Sequence, residues 1–216
     1  MQEVRRRIRL AAWALALFLA CLALLHLLNL GDWPRHISGF VRLQGAWLWP
    51  LGLLALSFAL VTLGLGLPAL ATPHRDARLA CRLLVAGGAT TLLLILFPTD
   101  VTPHPSTWVG GVHDVAASFT VLLVGSAMFL LVDAGRSEPS WEALAGRSLT
   151  WPGIVMGLGY AWGLGDLTAW WPVAAVFQRA LCASMAGWLI VVALRSSSGA
   201  TPDRLASSAP TPQRPE

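Results

Sequence analysis

Four residues able to do acid–base or metal chemistry fall between Phe97 and Asp114: Asp100, His104, His113 and Asp114. A His beside a carboxylate can act as a general base held by an orienting partner. The same groups are chemically competent zinc ligands. Further along, Gln178 precedes Arg179, whose planar guanidinium suits phosphate or carboxylate. The Phe97–Asp114 segment lies between two long apolar runs. Ionisable side chains beside a bilayer are costly and mark a functional site by default.

Each feature also has a plain structural reading. Asp100, in Phe-Pro-Thr-Asp, can hold a turn or cap a helix. His113 and Asp114 can form a hydrogen-bonded pair that closes a helix bundle. As metal candidates, His104, His113 and Asp100 are weak, because their spacing matches no compact ligand motif such as His-Glu-x-x-His; no metal and no cofactor is expected. His26 and Asn29, about one turn apart, read as a satisfied buried pair facing the same end. His74 sits in an Arg-rich loop and reads as solvated. Ser106, Ser118 and Thr120 lie in no Gly-x-Ser-x-Gly elbow. There is no phosphate-binding glycine loop and no dinucleotide fingerprint.

The elements that position these residues follow from composition. The chain is 56% hydrophobic and 12% charged, where a soluble domain carries about 25% charged residues. Too few charges remain to cover a water-facing surface. A spanning helix needs about 20 apolar residues. Runs at roughly 8–30, 47–70, 79–97, 108–133, 150–170 and 173–194 meet that need. The basic start (Arg5, Arg6, Arg7, Arg9) resembles a signal peptide, but the apolar run after it is too long and lacks a clear cleavage site. It reads as a retained first helix.

Arginine supplies all the basic residues and fixes the orientation. With the N-terminus inside, twelve Arg fall on the inner side and three, Arg35, Arg42 and Arg179, on the outer side. That is a positive-inside bias, and it also accounts for the pI near 9.8 without nucleic acid. Trp33, Trp47, Trp49, Trp108, Trp170 and Trp171 mark the outer boundary, Trp141 and Trp151 the inner one. Cys21, Cys81 and Cys182 are scattered and odd in number, so they read as packing residues.

Helical spacing then predicts faces. Asp114, Ser118, Val121 and Gly125 share one face of the fourth span, with His113, Ala117 and Thr120 beside it; this small, polar face is expected to turn inward. Arg179, Cys182, Ala183 and Ala186 make a similar face in the sixth span, and Arg179 is expected to pair with Asp114 or Asp100. Pro98 and Pro103 interrupt the helix around Asp100. In the fifth span, Gly153/Gly157 and Gly159/Gly163 form small-x-x-x-small pairs on different sides. Packing inside the bundle explains them, and they also permit a homo- or hetero-oligomer contact. Residues 196–216, rich in Ser, Ala, Thr and Pro, are expected to form a disordered cytoplasmic tail.

A resemblance follows from the order of short motifs. Ile37–Phe40 (Ile-Ser-Gly-Phe) leads into the second span, and Phe97–Asp100 (Phe-Pro-Thr-Asp) ends the third. Gly110–His113 (Gly-x-x-His) opens the fourth, and Gln178–Arg179 opens the sixth. In this order the chain resembles the bacterial and archaeal membrane family called domain of unknown function 998, over nearly everything up to Arg195. The family pattern often carries a His one turn before that of the fourth span. Val109 stands there in this chain, which weakens a metal reading. The resemblance implies a six-helix integral membrane protein and no particular activity.

The expected fold is therefore all-α: a polytopic bundle of six transmembrane helices over 1–195, N-in and C-in, in the cell membrane. The expected function is non-enzymatic. An outer-facing polar pocket built from Asp100, His104, His113, Asp114, Gln178 and Arg179, with help from Arg42, binds a lipid headgroup or small polar ligand. Three alternatives remain open: an accessory subunit, a membrane-embedded hydrolase or transferase using His113 with Asp100 or Asp114, and a proton-coupled transporter. The last lacks a visible inverted repeat.

Overall fold

The computed structural model describes residues 1–30, 43–100, 107–167 and 171–198. Among them the regular structure is helical. The helices are α1 (Gln2–Leu28), α2 (Leu48–Gly66), α3 (Arg75–Leu96), α4 (Trp108–Ser137), α5 (Pro139–Ala145), α6 (Thr150–Leu167) and α7 (Trp171–Ser197). A 3-10 turn, Leu67–Ala69, extends α2.

Five segments are long and apolar enough to cross a membrane: α1, Leu48–Ala69, α3, α4 and Val173–Ser197. Six were expected. The difference is α6, which is helical where the fifth span was placed but is diluted by its glycines, Tyr160, Trp151 and Trp162. The tail expected at 196–216 lies mainly outside the described residues. Helix α7 itself continues to Ser197.

The long helices pack in a ring. Helix α1 lies on α2, α2 on α3, α3 on α4, α4 on α6, α6 on α7, and α7 on α1, with α4–α6 the loosest seam. The main core fills one end of this ring. It joins Ile8, Leu15, Leu63, Leu84, Met128, Leu131 and Leu189 with their neighbours. This end also carries the Arg-rich loops. At the opposite, Arg-poor end, burial divides into two small clusters. One is built on Cys21, Leu25 and Leu48, the other on Leu53, Leu94 and Ala116.

Small residues set the tightest contacts. A Cβ added at Gly64 would sit 2.5 Å from the Cys81 carbonyl oxygen, so only glycine lets α2 and α3 approach there. Ser57 Oγ donates to the Gly88 carbonyl at 2.8 Å across the same pair.

The Arg-rich end is more ordered than a charged loop requires. Pro139 opens α5, where its missing N–H costs nothing. Gly146, at φ 77°, ends it with a conformation that favours glycine. Trp141 is only 1% exposed, and its Nε1–H donates to the Thr72 carbonyl at 2.8 Å. It therefore ties two loops together and is no interface anchor. His74, expected to be solvated, is half-buried and shares a 3.2 Å hydrogen bond with Ser137.

Candidate functional site at the Arg-poor end

Two polar clusters form here, on different helix pairs. The first joins α3 to α4. Pro98 follows the end of α3, and Thr107 caps α4 by accepting from the Gly110 N–H at 3.1 Å. The carboxylate of Asp100 holds that cap. Its Oδ2 accepts from the Thr107 N–H at 2.9 Å, and its Oδ1 accepts from the Thr107 hydroxyl at 2.8 Å. A carboxylate at this end of a helix is also favoured by the helix dipole. Any Cβ at Gly110 would run into the Asp100 carboxylate, so the glycine of Gly-x-x-His is needed for this approach.

His113 is buried on the inner face of α4. Its Nδ1 lies 2.8 Å from the Phe97 carbonyl oxygen. A carbonyl only accepts, so Nδ1 carries the proton and donates. Phe97 follows the last residue of α3, where carbonyls lack helical partners; His113 supplies one. The Phe97 and Trp108 rings meet edge-on, with centroids 5.8 Å apart. Asp100 and His113 thus clip α3 to α4.

The second cluster joins α1 to α7. His26 Nδ1 lies 2.6 Å from the Leu22 carbonyl oxygen and must donate to it. Its Nε2 then presents a lone pair, which accepts from Arg179 Nε–H. His26 is therefore the neutral, Nδ1-protonated tautomer. Arg179 Nη1 donates to the Ala175 carbonyl at 2.7 Å, and the residue is 9% exposed. The Asn29 amide donates to the Leu25 carbonyl at 2.8 Å and the Gln44 carbonyl at 2.9 Å. His26 and Asn29 are thus not each other's partners. Gln178 is half-buried beside Arg179.

In its first turns the α4 face is turned by about one residue from expectation, whereas Gly125, further along, is buried as expected. His113, Ala116, Thr120 and Val124 are buried, whereas Asp114 and Ser118 are exposed. Bulk explains the choice: Ala116 and Thr120 fit against α3, where Thr120 Oγ1 lies 2.8 Å from Thr90 Oγ1. His104 and Arg42 lie outside the described residues. Among the described residues, no three His, Cys, Asp or Glu side chains group closely enough to hold a metal ion.

His26 and Arg179 are 153 residues apart, so no local pattern in the sequence links them. The available signal was that His26 sits in the last turn of the first long helix and Arg179 about two turns into the last, both at the Arg-poor end.

No curated protein and no solved structure matches the chain. The sequence model described as "Protein of unknown function (DUF998)" matches residues 6–195. That match runs from the first turns of α1 to the last turn of α7, so the chain belongs to the DUF998 family.

Proposed function

We propose that the protein is a non-enzymatic, six-span protein of the cell membrane, with both termini cytoplasmic. Its outward, Arg-poor end binds an anionic lipid headgroup or a small phosphate- or carboxylate-bearing ligand. The observation that carries this reading is the buried Arg179. Its guanidinium is held in place by the His26 imidazole and the Ala175 carbonyl. A fixed guanidinium is well suited to a planar anion. Gln178 precedes it in α7, while Asp100 and His113 clip α3 to α4 at the same end of the bundle.

Six spans are supported by geometry as well as by the Arg distribution. Helix α4 ends, and α7 begins, at opposite ends of the bundle, so α6 must connect them. Its 18 residues cover about 27 Å at about 1.5 Å per residue, close to a hydrocarbon layer of about 30 Å. The enzyme reading is weaker because His113 is oriented by a backbone carbonyl and Asp100 serves a helix cap. An accessory role keeps one supporting observation. Gly153 and Gly157 are exposed, and an added Cβ at either meets open space.

Thermal unfolding in detergent tests the binding reading. Phosphatidylglycerol should raise the midpoint of the wild type more than phosphatidylcholine does, and Arg179→Gln should remove that difference. Equal responses to both lipids in both proteins would count against an anion site.

A further inference from the structure

The seam between α1 and α7 is held differently at its two ends. Toward the Arg-rich end both helices enter the main core, through Ile8 and Leu15 on one side and Leu189 and Val192 on the other. Toward the Arg-poor end the apolar packing shrinks to Cys21, Leu22, Leu25 and Leu48, and Cys182 is the described α7 residue laid against them. The His26–Arg179 hydrogen bond crosses the seam there. The end of α1 is also tied to the connection that leads into α2, because the Asn29 amide donates to the Gln44 carbonyl at 2.9 Å. Helix α7 is therefore the side that a change at the His26 link would move.

That link requires a neutral ring. His26 Nδ1–H donates to the Leu22 carbonyl at 2.6 Å, which leaves Nε2 as the ring's acceptor, and Arg179 Nε–H uses it. A second proton has only Nε2 to occupy. It turns the acceptor into a donor facing a donor and sets two cations against each other. His26 is half-buried in the last turn of α1, close to the membrane boundary, where water supplies the proton. We propose that His26 is a proton-sensitive latch: when neutral it pins the start of α7 to α1, and acid on the Arg-poor side releases α7 and opens the seam. The latch follows from the geometry of this pair and does not depend on what Arg179 binds.

Few other titratable groups face this point among the described residues. Cys21 comes from α1, and Cys182 joins Arg179 from α7. Helix α2, packed on α1, has no titratable side chain. Helix α6, packed on α7, carries Tyr160, which lines the seam with α4. Asp32, Arg35, His36 and Arg42 lie outside the described residues, as does the side chain of Asp166. Proton linkage sets the direction. In the open arrangement Nε2 is free to take a proton near the usual imidazole value of about 6.5, whereas the latched ring cannot take it without losing the bond. Closure is therefore favoured above that value and lost as pH falls below it. Between about pH 7.5 and about pH 4.5 the ratio of open to latched protein rises by up to about a hundredfold.

The test uses the full chain in nanodiscs, with the three native cysteines replaced by Ala and nitroxide labels on Leu27→Cys and Val176→Cys. Both positions are exposed, one beside His26 and the other one turn before Arg179. Electron–electron resonance distances should gain a longer component as pH falls over that range, and lose it on neutralisation. His26→Gln keeps an acceptor oxygen for Arg179 but does not titrate, so its distance should stay short throughout. Arg179→Gln removes the second cation and should also suppress the change, which keeps a control if His26→Gln fails to fold. A wild-type distance indifferent to pH would overturn the latch. The same lengthening in both variants would overturn it as well, by assigning the response to a carboxylate elsewhere.

Discussion

At the scale of single residues, the Arg-poor end is organised by hydrogen bonds that bind helix ends together. His26 and Arg179 form the longest-range of these. Replacing His26 by Leu leaves a buried guanidinium N–H without its acceptor, which should cost about 1.5–3 kcal/mol. Replacing both residues, His26→Leu with Arg179→Met, should cost less than the sum of the single changes, with a coupling of about 1–3 kcal/mol. Additive effects in denaturant unfolding would refute the link. Asp100→Ala removes a cap support and should lower stability by about 1 kcal/mol while ligand retention persists. The sequence exposed Asp100, His113 and Arg179 as residues of interest because charge near lipid is rare. It could not tell their roles. A carboxylate capping Thr107 and a carboxylate facing a ligand have the same local spelling, and the partner of Arg179 lies on the first helix, far away in sequence.

Elements explain why the sequence showed more of the fold than of the site. Apolar runs of membrane length made most of the long helices legible, because run length and hydropathy are local properties. In the first turns of α4 the inward face was off by one residue, since small or polar residues occur at both 113/116/120 and 114/118, and only the fit against α3 decides. Helix α5 was invisible within a charged loop. Its anchor is Trp141, which bonds a carbonyl 69 residues away. Trp141→Phe removes the hydrogen bond to the Thr72 carbonyl, which water can then reach because Thr72 is exposed. It should cost about 0.5–1.5 kcal/mol and speed protease cleavage between α4 and α6. Gly64→Ala should be as damaging, at about 1–3 kcal/mol, because its Cβ meets backbone at Cys81 and the helices must part.

For the whole molecule, the division of labour runs along the membrane normal. The Arg-rich end holds the main core and the zipped loops, and the Arg-poor end holds two minor clusters and the polar links. Parity tests the topology directly. Six spans put both termini on one side, whereas five put them on opposite sides, so reporter fusions after Arg147 and after Ser197 should both read cytoplasmic. An external C-terminus would remove α6 from the membrane. In the proposed reading Arg179 anchors an anionic ligand at the Arg-poor end. Native mass spectrometry of the gently solubilised protein tests it most directly, comparing wild type with Arg179→Gln and with the charge-keeping Arg179→Lys. A retained anionic lipid or small acid should accompany the wild type, disappear in Arg179→Gln and survive in part in Arg179→Lys. A wild type that carries no adduct, or an adduct equally abundant in Arg179→Gln, would rule out an anion site at Arg179.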